Sequence, residues 1–176
     1  MKKWLALALG ALLIVTVGCG GNKTTATPQA SQKVLKGGTT PHFAPFEFID
    51  ANGQMAGFDL DLIHAIGKKM GVKIEMQNIA WDGLIPAVQS GNVDLAIAGM
   101  AITEERKKVL LFSDPYYESG LTIMVPKNSS IKSIKDLEGK KIAVQIGTMS
   151  SKKAKEVPNA SVREFNTSAD AFMELK

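Results

Sequence analysis

Arg106 closes the segment Ile102-Thr103-Glu104-Glu105-Arg106, and its guanidinium suits one chemistry above others. The planar fork meets two carboxylate oxygens at once and keeps its charge when buried. Thr103, three residues earlier, is of a type that caps a short helix. The plainer alternative is a wet basic face, since Arg106-Lys107-Lys108 is a run of cations and Lys152-Lys153 reads the same way. A second stretch suits anions: Gly147-Thr148-Met149-Ser150 follows an apolar run and opens a helical one. Free N–H groups and the positive end of a helix dipole face outward at such a start, and a simple N-cap is compatible with that use. Metal and nucleophile chemistry find no support. His64 sits beside Leu62 and Ile63 and reads as a surface or boundary residue, and His42 has no partner motif. The sequence holds no Cys/His cluster, phosphate-binding loop or nucleophile triad.

The 176 residues are 45% hydrophobic and 22% charged, an ordinary globular composition sufficient for one good core or two small lobes. The formal net charge of +4 includes Lys2 and Lys3, and the remaining excess is spread along the chain, which argues against nucleic acid as a partner. Met1-Lys2-Lys3 is a positive start, and Leu5 to Val17 is apolar but shorter than the roughly 20 residues of a spanning helix. With Gly18-Cys19 following, the pattern predicts a secretory signal peptide over residues 1–18. The lone cysteine cannot form an internal disulfide, and Thr16-Val17-Gly18-Cys19 resembles a bacterial lipobox with Thr16 where Leu is usual. Cys19 is then the expected lipidation site, each buried methylene of its acyl chains adding about 0.8 kcal/mol of membrane attachment. An uncleaved anchor with an incidental cysteine is the alternative. Residues 19–32, dominated by Gly, Asn, Thr, Ala, Pro and Ser, are expected to form a flexible tether.

From Lys33 onward strand and helix signals alternate. Val34-Leu35 opens a strand, Asn52-Gly53 marks a turn after Phe48-Ile49, and Phe58 to Met70 is helical. In that helix Asp59 is the expected cap, Leu62, Ile66 and Met70 the expected apolar stripe, and Gly71 the stop. Val72, Ile74 and Met76 alternate as a half-buried strand, Asp82 to Ser90 is a second helix closed by Gly91, and Val93 to Ala98 is an apolar strand. Apolar strands between helices predict a parallel sheet covered on both faces. Beyond Pro115, strands are expected at Leu121–Val125, Ile142–Ile146 and Val162–Phe165, and helices at Lys135–Leu137, from Gly147-Thr148, and from Ser168. The last helix is expected to run through Phe172-Met173-Glu174-Leu175 to the end of the sequence, so the chain reads as a fragment.

Six stretches in order resemble the polar amino-acid-binding proteins of bacterial ABC importers, solute-binding protein family 3. They are Phe43 to Phe48, Gly57 to Leu62, Trp81 to Ala87, Asp94 to Met100, Ile102 to Arg106 and Phe112 to Tyr117. The resemblance implies an α/β fold of the two-lobe periplasmic-binding-protein type (type II), with the second lobe incomplete. On that pattern residues 33–115 are lobe one without its C-terminal return, 116–120 the first hinge crossing, and 121–176 part of lobe two. It also implies a function: an extracytoplasmic, lipid-anchored, monomeric receptor that captures a free polar amino acid and delivers it to a membrane permease, without enzymatic activity or cofactor.

The same resemblance assigns roles. Arg106 takes the ligand carboxylate, helped by backbone N–H groups near Ala101, and the Thr148 and Met149 N–H groups meet it from lobe two. Phe43 and Trp81 match two aromatic walls, while Phe46, Phe48 and Phe58 are left to the core. Gly99 and Ala101 fit a site where backbone approaches ligand closely, although relatives often carry Ser or Thr in place of Ala101. Gln145 stands where some relatives have Lys. Gly37-Gly38-Thr39-Thr40 departs from a first strand that commonly reads Val-Gly-Thr-Asp, and Gly37 weakens a strand interior. An uncharged polar or a basic amino acid both remain open as ligand. The rivals are a cyclohexadienyl-dehydratase-like enzyme on the same fold, for which Glu47 is the one acid near the aromatic wall, and the sensor module of a longer receptor or lytic enzyme.

Overall fold

The computed structural model describes residues 32–175. The signal peptide, Cys19 and most of the tether expected from the sequence lie outside these residues. In chain order the elements are β1 (Val34–Thr39), β2 (His42–Phe43), β3 (Glu47–Ile49), β4 (Met55–Ala56), α1 (Phe58–Met70), β5 (Lys73–Asn78), a 3₁₀ turn (Trp81–Gly83), α2 (Leu84–Gln89), β6 (Leu95–Ala96) and α3 (Glu104–Lys107). A second 3₁₀ turn (Ile134–Leu137), β7 (Lys141–Gln145), α4 (Met149–Lys155), β8 (Ser161–Phe165) and α5 (Ser168–Met173) follow.

The first sheet is parallel, in the order β5-β1-β6, with Val34 opposite Lys73 and Gly37 opposite Leu95. One face carries a core of Ile63, Ile74 and Ile97, with Leu35, Leu62, Val72, Met76 and Leu95 packed on it. On the other face fully buried Leu84 from α2 and Val93 press on Gly38. Gly37 is not a defect in this strand. The Met76 thioether lies where a side chain at position 37 would stand. A small antiparallel sheet, β2-β3-β4, turns at Asn52-Gly53, where Asp50 accepts the Asn52 and Gln54 N–H groups.

Several expectations need correction. Helix α1 buries Leu60, Ile63 and Gly67, while Ile66 and Met70 are exposed and Leu62 is only half-buried. Both stripes are apolar, and the deciding contact is Gly67, whose bare Cα lets the helix approach Ile74. Gly71 does end α1, in the left-handed region at φ 70°. Asp59 makes no capping bond. Strand β6 covers only Leu95–Ala96, although Asp94 and Ile97 N–H groups extend the ladder to Lys36 and Gly38 carbonyls. Residues 121–125 form no strand: Leu121, Ile123 and Met124 are exposed, and a strand exists only where a neighbour takes its backbone groups. The second helix is split, a 3₁₀ turn preceding α2, and α5 ends at Met173.

The later residues form a two-stranded parallel sheet, β7-β8, with Ile142 opposite Val162. Helices α4 and α5 pack on it. Thr148 caps α4 by accepting the Ser151 N–H, and Thr167 caps α5 by accepting the Asp170 N–H.

Candidate functional site

The Arg106 guanidinium lies where the loop after β6 meets the loop after β7. Thr103 caps α3 by accepting the Arg106 N–H at 3.2 Å, as expected, and this short helix fixes the arginine's starting direction. One end of the fork donates to the Ala101 carbonyl at 2.7 Å and the other to the Gly147 carbonyl at 3.0 Å. The guanidinium carbon also stands 5.6 Å from the centre of the Trp81 ring, within range of a cation–π attraction. Trp81 Nε1 lies close to Gly147 as well. Burial draws the Arg106 pKa down from its ordinary value, and the charge of Glu105 opposes this. Among the described residues, the half-buried cation therefore has two neutral carbonyl partners and no carboxylate on its fork.

Beside it, Lys152 of α4 pairs with Glu105 of α3 at 2.9 Å. The hydrogen bond from Lys152 is the main cause that holds Glu105 down at about 2, and Glu105 in turn raises Lys152. Sequence reasoning missed this pair, which joins residues 47 apart.

Arg106, Ala101, Trp81 and the Gly147-Thr148 helix start are thus brought together. Thr148 is committed to its own helix, its hydroxyl donating to the Gln145 carbonyl at 2.8 Å while its oxygen accepts the Ser151 N–H. Met149, the first residue of α4, is half-buried. The Gln145 amide is engaged elsewhere: Nε2 donates to the Asn166 carbonyl at 3.0 Å, and Oε1 accepts the Ser168 hydroxyl at 2.9 Å. It ties β7 to the start of α5.

Phe43 is 45% exposed and stacks on Phe46 at 5.6 Å. Gly99 lies next to it, at φ 55°, and a Cβ there would touch the Phe43 ring at 3.5 Å. Phe46 also meets Phe58 and Tyr117 edge-on, and Phe58 stacks on Tyr116. Phe58 therefore leaves the core expected for it. As the first residue of α1 it is 46% exposed and faces the 116–120 segment, not the sheet.

A buried acid pair lies behind Gly99. Asp59 and Glu47 are both fully buried, and Asp59 Oδ2 accepts the Gly99 N–H at 3.0 Å and the Tyr116 hydroxyl at 2.9 Å. Neither Glu47 oxygen nor Asp59 Oδ1 has a hydrogen-bond partner among the described residues. Burial above all, then the charge of Asp59, pushes Glu47 up to about 9, so Glu47 is a neutral acid at pH 7. Burial and Asp59 likewise push the Tyr116 hydroxyl up, which keeps it a donor. Two acids in apolar stretches were the only signal in the sequence, and nothing there pairs position 59 with 99 or 116.

Parallel strands alternating with helices, with an arginine held between the loops after β6 and β7, make this an α/β protein. The family follows from comparison. Residues 35–174 match the model of bacterial extracellular solute-binding proteins, family 3, and the chain belongs to that family. It is 36% identical over 179 residues to the arginine-binding extracellular protein ArtP of Bacillus subtilis (strain 168), covering 100% of this chain and 69% of that protein. The crystal structure of the substrate-binding protein of an amino acid ABC transporter superimposes with a TM-score of 0.77 at 47% identity, over 81% of this chain and 65% of that one. An ancestral amino-acid-binding protein, AncCDT-1, a precursor of cyclohexadienyl dehydratase, gives a TM-score of 0.77 at 49% identity with the same coverage. The fold is therefore of the type II periplasmic-binding-protein kind. The chain spans between 52% and 70% of the length of the first curated relatives it matches.

Proposed function

We propose that this protein is the extracytoplasmic receptor of a bacterial amino-acid importer, anchored to the membrane through a lipid on Cys19, acting as a monomer and handing its ligand to a membrane permease. Residues 33–115 belong to one lobe, 116–120 to the first crossing and 121–176 to the other lobe. The observation that carries the reading is the Arg106 fork, which bridges the Ala101 and Gly147 carbonyls across the two groups of elements while lying over Trp81.

The mechanism follows from what that fork is made for. A ligand carboxylate is a stronger partner than two neutral carbonyls, because it adds the attraction of opposite charges and meets both arms of the fork in one bidentate pair. The incoming amino acid takes the guanidinium bidentately, and the Thr148 and Met149 N–H groups complete the carboxylate's shell. Trp81 and Phe43 supply flat apolar area for the remainder of the ligand. Since Arg106 already reaches Gly147, ligand exchange and the approach of the two lobes involve the same atoms, and the ligand shifts that equilibrium by its preference for the closed state.

A dehydratase reading needs an acid that reaches a substrate hydroxyl. Glu47 is protonated as that chemistry requires, but it is fully buried. Calorimetry of the protein produced from its complete gene, titrated with arginine, histidine and glutamine, tests the proposal. Micromolar or tighter binding of at least one, with no product formed, is expected; no heat from any of the three, or any polar amino acid, would sink it.

A further inference from the structure

Asp59 does not cap its helix, although an acid at the second position of a helix is ordinarily placed for that or for the dipole. Its side chain turns inward and joins three parts of the chain. The Gly99 N–H comes from the loop after β6 and the Tyr116 hydroxyl from the segment that leaves the first sheet. Those two partners are 40 and 57 residues away. Gly99 holds φ 55°, a conformation its neighbours must maintain, and its bare face touches Phe43. In a planar trans peptide the N–H and the preceding carbonyl point in opposite directions, so a grip on the Gly99 N–H orients the whole Ala98–Gly99 unit.

We propose that Asp59 is a positioning residue for the cleft, which sets the Gly99 peptide beside Phe43 and ties it through Tyr116 to the crossing segment. The inference rests on the amino-acid-receptor reading. The titratable groups that face one another here are Glu47 of β3, Asp59 of α1 and Tyr116. A movement of the crossing segment relative to the first sheet strains the Tyr116–Asp59 bond, and Gly99 shares the same Asp59 oxygen. Ligand contact and lobe movement are thereby linked through one atom, Oδ2.

The test uses the protein from its complete gene, with Tyr116→Phe and Asp59→Asn variants and arginine, histidine and glutamine as probes. Asp59→Asn should weaken the preferred amino acid at least about tenfold, and Tyr116→Phe about threefold, while Arg106 remains intact. In NMR spectra without ligand, the Gly99 amide proton should move upfield in both variants and exchange faster with solvent. Tyr116→Phe removes a single hydroxyl and keeps the proposal open to refutation should Asp59→Asn not fold. A folded Tyr116→Phe protein with an unchanged Gly99 amide overturns the inference whatever it binds. Normal Gly99 responses in a protein that binds none of the three amino acids would instead strike the receptor reading and leave Asp59 as the anchor of that peptide.

Discussion

Replacing Arg106 by Lys keeps the charge and most of the length but removes the fork, whereas Arg106→Ala removes all three contacts at once. Two hydrogen bonds from the guanidinium, at 2.7 and 3.0 Å, and one ring contact at 5.6 Å are at stake in the free protein. In the complex the larger loss is the carboxylate pair. Truncating one partner of a buried, hydrogen-bonded charge pair costs roughly 2–5 kcal/mol. Arg106 is only half-buried, so the lower end applies, and about 2 kcal/mol corresponds to a loss of about 30-fold in affinity. Lysine should fall between, since it retains Coulomb attraction but cannot bind both oxygens in register. Calorimetric Kd values for the preferred amino acid, with circular dichroism to confirm folding, decide the matter. A folded Arg106→Ala protein within threefold of the native Kd would refute the assignment of the carboxylate to this side chain.

The buried acid pair predicts an unusual pH dependence. Because Glu47 is raised to about 9 when folded, the native state holds a proton that the unfolded chain releases above the ordinary value of 4.5. This contribution is fully present below 4.5 and is lost as pH rises toward 9, with a slope of at most about 1.4 kcal/mol per pH unit. Denaturant titrations from pH 5 to 9 should show the decline, and Glu47→Gln, which cannot titrate, should flatten it; a stability curve rising across that range would contradict the buried proton. The orientation of α1 is tested by two truncations: Leu60→Ala should cost about 2–5 kcal/mol, and Ile66→Ala less than about 1 kcal/mol, by urea unfolding. Reversal of that order would restore the Leu62-Ile66-Met70 stripe. The Glu105–Lys152 pair is exposed on both sides, so molar salt should weaken ligand affinity in the native protein and less so in Glu105→Gln, as read by fluorescence titration at two ionic strengths.

Much of the frame was legible from local pattern. The Gly71 stop, the Asn52-Gly53 turn, the alternation of Ile74 and Met76 and the Thr103 and Thr148 caps depend on neighbours a few residues away, and they stand as expected. The ordered motifs around Phe43, Trp81 and Arg106 were enough to indicate the family. Fold class followed from strands and helices in alternation, since a parallel sheet needs helices to cross it.

Tertiary structure decided what periodicity leaves degenerate. Helix α1 carries two apolar stripes, and only the approach of Gly67 to Ile74 selects Leu60 and Ile63 for the core. Leu121 to Val125 has strand composition but no strand partner among the described residues, so composition alone could not make it a strand. Asp59 looks like a cap in one dimension and is a buried acceptor in three, because Gly99 and Tyr116 reach it across 40 and 57 residues. The types of the residues that meet a ligand were written along the chain. Which of them share an atom, and which spend their polarity on the protein itself as Gln145 does, depended on distances that close only when the sheets and helices pack.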